Sequence, residues 1–144
     1  MQRTFDLNGK QVRSEDVDFL KSALWSGTVK HNVNVLDLSD NLIGASGVAT
    51  LFKHVLPHLS NLIELNLSNN PKLGLEGIKA LVKSFHDEST LEIKLRTLRL
   101  NHCLLGKSPE VVYTVLRPTF RPTYALRSIG RTETVCLLFG QPPP

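Results

Sequence analysis

His54 and His58 stand four residues apart, a spacing that would bring two imidazoles onto one helix face and within reach of one metal ion. No Glu or Cys nearby completes such a ligand set. The pair, like His31 and His86, therefore reads as histidines on the surface or at helix ends. His102 beside Cys103 is the pairing that could make a thiolate nucleophile. Cys103, however, falls at an inward-facing position of the chain's recurring pattern, which would keep its sulfur from a substrate. Asp87-Glu88-Ser89 reads as a polar loop. No CxxC, HExxH, G-x-S-x-G, phosphate-binding loop or glycine-rich dinucleotide fingerprint occurs. The two cysteines, Cys103 and Cys136, are too few for a disulfide framework or a four-thiolate zinc site. The expectation is a chain without catalysis, metal or cofactor.

The charges suggest binding instead. The formal net charge is +4, unevenly placed: residues 1–93 sum to −2 and residues 94–144 to +6. Arg96, Arg99, Lys107, Arg117, Arg121, Arg127 and Arg131 make the C-terminal third a possible basic patch, and Arg117, Arg121, Arg127 and Arg131 are its core. Arginine suits bidentate contact with phosphate or carboxylate. Tyr113, Phe120 and Tyr124 lie among these charges, where rings could stack on bases. Packing into the core or a cap is the commoner fate of such rings, and no RNA-binding signature accompanies them. A basic RNA-associated subunit of a ribonucleoprotein is thus the alternative to a protein-binding role. No apolar run approaches the roughly 20 residues of a membrane span. The opening Met1-Gln-Arg-Thr-Phe-Asp-Leu-Asn8 has no apolar signal core. A cytoplasmic protein with no membrane contact is expected.

What would position these groups is a repeat. Val33-Asn-Val-Leu36-Asp-Leu38-Ser-Asp-Asn41 leads to Ile43-Gly44 and then Gly47-Val48. Leu62-Ile-Glu-Leu65-Asn-Leu67-Ser-Asn-Asn70 leads to Leu73-Gly74 and then Gly77-Ile78. Both read LxxLxLxxN, followed by an aliphatic-glycine pair and an amphipathic stretch. Leu95-Arg-Thr-Leu98-Arg-Leu100-Asn-His-Cys103 is a further copy, with Cys in place of Asn. A weaker copy opens the chain at Phe5-Asp-Leu7, with Lys10 at the Asn position. The central leucines Leu7, Leu38, Leu67 and Leu100 are 31, 29 and 33 residues apart, so a long secondary-structure element fits inside each unit.

The alternating leucines predict a short strand with one buried face. The stretches that follow have helical spacing: Val17, Leu20 and Leu24; Val48, Leu51, Phe52 and Val55; Ile78, Leu81, Val82 and Phe85. Ser14 is the expected cap of the first helix. Pro57 should limit the second, and Ser108-Pro109 should start the helix of the last unit. Asn41 and Asn70 should turn inward and bond the backbone of the turn, because a buried amide needs partners. The fold predicted is α/β: stacked strand-turn-helix units with a parallel sheet inside and helices outside.

On these blocks, and on the paired glycines Gly44/Gly47 and Gly74/Gly77, the chain resembles the ribonuclease inhibitor-like leucine-rich-repeat family. The resemblance covers about residues 3–116 and implies a leucine-rich-repeat solenoid, a short horseshoe. Lys10 for Asn and Pro109 for a second glycine depart from the pattern and bear on the turns of those units. About four units would fill 1–116, leaving 117–144 as an irregular C-terminal cap and Pro-rich tail. Within that part, Tyr124–Ile129 could form a degenerate fifth strand and Thr134–Phe139 a closing strand. The first unit would cap the other end, with Trp25 folded over the core.

In such a repeat the non-leucine strand positions face outward on the concave side. These are Thr4, Asp6 and Asn8; Val35, Asp37 and Ser39; Glu64, Asn66 and Ser68; Thr97, Arg99 and Asn101. The column Asp6, Asp37, Asn66, Arg99 runs from acidic to basic, and Asn8, Ser39, Ser68, Asn101 are small, polar and expected to be solvated. The reading is a protein–protein interaction module, a scaffold or a subunit of a larger assembly, that meets its partner on this face, with the convex helices and the C-terminal basic patch as the alternative contact sites. Regulation of a GTPase is a further possibility that the resemblance implies.

Overall fold

The computed structural model describes residues 3–25, 32–86, 95–103, 125–128 and 135–138. Four strands, β1 (Thr4–Asp6), β2 (Val35–Asp37), β3 (Glu64–Asn66) and β4 (Thr97–Arg99), lie side by side and parallel. Their register aligns Phe5, Leu36, Leu65 and Leu98 in one row, and Asp6, Asp37, Asn66 and Arg99 in the next. Each strand is short because the chain turns directly after it. The turning residues are Gly9, Asp40, Asn69 and His102, with φ of 64°, 56°, 56° and 54°. Gly, Asn, Asp and His tolerate this left-handed region better than other types. The backbone ladder continues through the turns: Gly9 N–H donates to Ser39 O, Asp40 N–H to Ser68 O, and Asn69 N–H to Asn101 O.

Helices follow on the other face of the sheet. A 3-10 turn (Ser14–Asp16) leads into α1 (Val17–Trp25). After β2 comes α2 (Ala45–Thr50), which widens into a π-type turn (Leu51–Val55) and tightens into a 3-10 turn (Leu56–His58). Pro57 sits in that last turn, so the helical run ends there as its missing N–H requires. After β3 comes α3 (Gly74–His86). Ser14 does not cap α1. It lies inside the 3-10 turn, and its Oγ accepts the Gly44 N–H of the next unit at 2.9 Å. The capping oxygen is Oδ2 of Asp16, which takes the Arg13 N–H at 2.9 Å.

The core lies between the two layers. Leu36, Leu38, Leu65, Leu67, Leu98 and Leu100 enter it from the strands and are completely buried. Val17, Leu20, Val48, Leu51, Phe52, Val55, Ile78 and Leu81 enter it from the helices. Burying each leucine contributes roughly 1.5–3 kcal/mol, so stacking rather than any single unit holds the fold. Phe5 and Leu7 of the first unit are only partly buried.

The C-terminal strands depart from a wholly parallel sheet. β5 (Ala125–Ser128) and β6 (Val135–Leu138) pair antiparallel with each other, and β6 pairs antiparallel with β4. The sheet order is β1-β2-β3-β4-β6-β5. Residues 129–134 are too few for a parallel crossover, which takes a dozen or more, so the two strands form a hairpin. The later strand lies against the repeats and the earlier one takes the edge. The expected start of a helix at Ser108-Pro109 lies outside the described residues. So do the side chains of Val82, Phe85 and Trp25.

Candidate contact surface on the strand face

An inward ladder of polar side chains holds the strand face in place. Asn41 and Asn70 are buried, at 2% and 0% exposure, and both point into the turns as the sequence predicts. Asn41 Nδ2 donates to Leu7 O, Leu38 O and Ser39 O, while its Oδ1 accepts the Val12 N–H. Asn70 Nδ2 donates to Leu38 O, Leu67 O and Ser68 O, and its Oδ1 accepts the Ile43 N–H. Each amide therefore ties its own turn to the unit before it. Cys103 keeps half of this pattern, its Sγ donating to Leu67 O at 3.1 Å. A thiol has no amide oxygen to offer, and the Leu73 N–H turns instead to Asn70 O within its own loop at 3.0 Å.

On the opposite side of the strands stand the residues singled out as a contact face. Register places Thr4, Val35, Glu64 and Thr97 in one row, and Asp6, Asp37, Asn66 and Arg99 in another. Thr4, Asp6, Asn8 and Arg99 are exposed; Val35, Asp37, Glu64, Asn66, Thr97 and Asn101 are half-buried. The charge gradient along the second row is as read from the sequence. Arg99, however, is not a free cation: its Nε meets Glu64 Oε1 at 2.8 Å across the sheet.

Ser39 and Ser68 correct the sequence reading, because they are not solvated. Both are buried, at 5% and 6% exposure. Ser39 Oγ donates to Asp37 Oδ1 at 2.5 Å and accepts from Asn8 Nδ2 at 2.6 Å. Ser68 Oγ accepts the Asn101 N–H at 3.2 Å. The tight turn after each strand draws this column inward, so only Asn8 is left exposed in it. A local motif also recurs that spacing alone did not reveal. Oδ1 of Asp6, Asp37 and Asn66 accepts the N–H two residues on, from Asn8, Ser39 and Ser68 respectively. These side chains stabilise the turn with one oxygen. A signal for it was present, since Asp and Asn recur before the second leucine in three of four units. The Asn101 Oδ1 is buried without a hydrogen-bond partner among the described residues.

His54 and His58 are exposed, and among the described residues no group of three His, Cys, Asp or Glu is placed to hold a metal. His102 is exposed in its left-handed turn while Cys103 is buried with its sulfur on backbone carbonyls, so the two do not form a pair. Of the basic patch, Arg127 lies on β5 at the register position of Cys136, which in turn pairs with Arg99. Arg117, Arg121 and Arg131 lie outside the described residues. Among the described residues no helix is long and apolar enough to cross a membrane.

Residues 29–52 and 58–82 match the family described as Leucine Rich repeat. These stretches contain the strands and turns of the second and third units, the two whose turns are tied by Asn41 and Asn70. Protein CARMIL of Dictyostelium discoideum is 34% identical over 88 residues, a match that spans 61% of this chain and 8% of that protein's length. Recurrent leucine strands in parallel register, helices on one face and inward asparagines at the turns agree with these matches: the chain carries leucine-rich repeats in an α/β leucine-rich-repeat fold.

Proposed function

We propose that the chain is a protein–protein interaction module, without catalysis of its own, that receives its partner on the strand face. Leucine-rich repeats generally mediate protein–protein interaction. The observation that carries the reading is the strand register. It sets Thr4, Val35, Glu64 and Thr97 beside Asp6, Asp37, Asn66 and Arg99 as two ordered rows on the face opposite the helices. A rigid sheet presents such rows with little entropy left to lose on binding. Within this proposal the units belong to the ribonuclease inhibitor-like class and coil into a short solenoid with the strand face concave. The protein acts as a scaffold or subunit inside the cell, where the buried Cys103 stays a thiol.

The test follows from the turn chemistry. Asp37→Asn removes a charge but keeps the amide oxygen that the turn needs, as Asn66 already does one unit on. Asp6→Asn does the same in the first unit. A photocrosslinking residue at Thr97 or Val35 should capture a partner from cell extract, and capture should fall in the Asp6→Asn/Asp37→Asn double variant while the thermal midpoint holds. Equal capture by wild type and double variant, or crosslinks only from the helix side, would remove the strand face from consideration.

A further inference from the structure

We propose that the cleft between α2 and α3, on the helix side, is a second docking surface, fitted to an acidic, aliphatic segment of a partner protein. The cleft has a volume of about 440 Å³. Ala45, Ser46, Ala49 and Lys53 line it from one helical run, and Ala80, Lys83 and Ser84 from the other, the Ser84 hydroxyl being spent on Ala80 O. Side chains this small leave space between two packed helical elements that larger residues would fill. Close packing sets the position of α2: a Cβ on Gly47 would stand 2.9 Å from Ser14 Oγ, and one on Gly44 would stand 3.3 Å from Lys72 O. These contacts hold the start of α2 against the 3-10 turn before α1 and the loop before α3.

The charges say what fits there. Lys79 on α3 is paired with Glu76 at 2.9 Å. Lys53 and Lys83, one on each side of the cleft, are exposed and have no acidic partner among the described residues. Alanine methyls and two serines between these two exposed ammonium groups complement an aliphatic side chain flanked by carboxylates, the arrangement of an amphipathic segment laid in a groove. A nucleic acid is the poorer occupant, because neither arginine nor an aromatic ring lines the cleft. This surface is separate from the strand face and stands or falls on its own.

The experiment is a titration of the full 15N-labelled chain with a blocked Glu-Leu-Ala-Leu-Glu peptide, and with its Lys-Leu-Ala-Leu-Lys counterpart as control. Saturable shifts are expected at the amides of Ala45, Ala49 and Ala80 with the glutamate peptide only. Lys53→Glu and Lys83→Glu should each weaken binding by about tenfold, and Ala49→Trp should abolish it by filling the cleft. Asp37→Asn should leave it unchanged. The two lysines are surface residues, so their variants carry the test even if Ala49→Trp does not fold. The proposal is overturned by absence of saturation at millimolar peptide, by equal binding of the lysine peptide, or by shifts that map to the strand face. Sedimentation showing a dimer that Lys53→Glu dissolves would seat a second copy in the cleft and overturn it as well.

Discussion

Replacing Asn70 with Ala should remove a large part of this fold's stability, and replacing it with Cys should restore some of it. The side chain is completely buried and makes four hydrogen bonds, all to backbone. Three run from Nδ2 to Leu38 O, Leu67 O and Ser68 O at 3.0, 2.8 and 3.3 Å; the fourth runs from Ile43 N–H to Oδ1 at 3.0 Å. Nδ2 shares two hydrogens among its three carbonyls, so the four contacts amount to about three full bonds; at about 1 kcal/mol net for each, truncation to Ala should cost about 3 kcal/mol. That is a large share of the roughly 5–15 kcal/mol that holds a typical domain. A cysteine can donate once, as Cys103 does to Leu67 O, but it cannot accept from Ile43. Asn70→Cys should therefore fall between Ala and wild type, about 1–2 kcal/mol above Ala. Urea unfolding gives the stabilities, and the slope should be unchanged because the exposed area is the same. Native-state hydrogen exchange supplies the local test: the Ile43 amide should lose protection in both variants beyond the fall in global stability. A loss of under about 1 kcal/mol for Asn70→Ala, or equal losses for Ala and Cys, would falsify the ladder as the device that joins the units.

Other substitutions test other parts of the architecture. Gly47→Ala places a methyl 2.8 Å from Ile43 Cγ2 and 3.0 Å from Ser14 Cα. It should cost about 1–3 kcal/mol by overpacking, read as a lower urea midpoint. His102→Val forces a β-branched residue into a left-handed turn and should cost about 1–2 kcal/mol, whereas His102→Gly should be neutral or stabilising by calorimetry. Leu67→Ala leaves a cavity in a fully buried site and should cost about 2–5 kcal/mol in the same urea assay. Breaking the half-exposed Arg99–Glu64 pair with Glu64→Gln should cost less than about 1 kcal/mol, and a larger loss would mean that the pair is better shielded from solvent than its exposure indicates.

The sequence was a good guide wherever a residue's role depended on its own repeat. Leu38 and Leu67 fall inward because alternation leaves no other face, and Asn41 and Asn70 follow because a buried amide at that spacing can meet only backbone. It was a poor guide where neighbouring units compete for the same atom. Ser14 has the type of a helix cap, yet its hydroxyl serves Gly44 of the next unit. Ser39 and Ser68 look like solvent-facing serines, yet the left-handed turns at Asp40 and Asn69 fold them under the strand ends. Arg99 reads as part of an open basic patch, yet the strand beside it brings Glu64 within 2.8 Å.

The sequence alone determined the unit: its strand, its turn, its helical stretch and which face of each is apolar. Those follow from side-chain periodicity and local backbone preference, and both act within a few residues. The tertiary structure decided the register between units, the neutralisation of Arg99 by Glu64, the cleft flanked by Lys53 and Lys83, and the antiparallel placement of β6 between β4 and β5. Each of these depends on atoms about 30 or more residues apart in the chain, which meet only once the units have stacked.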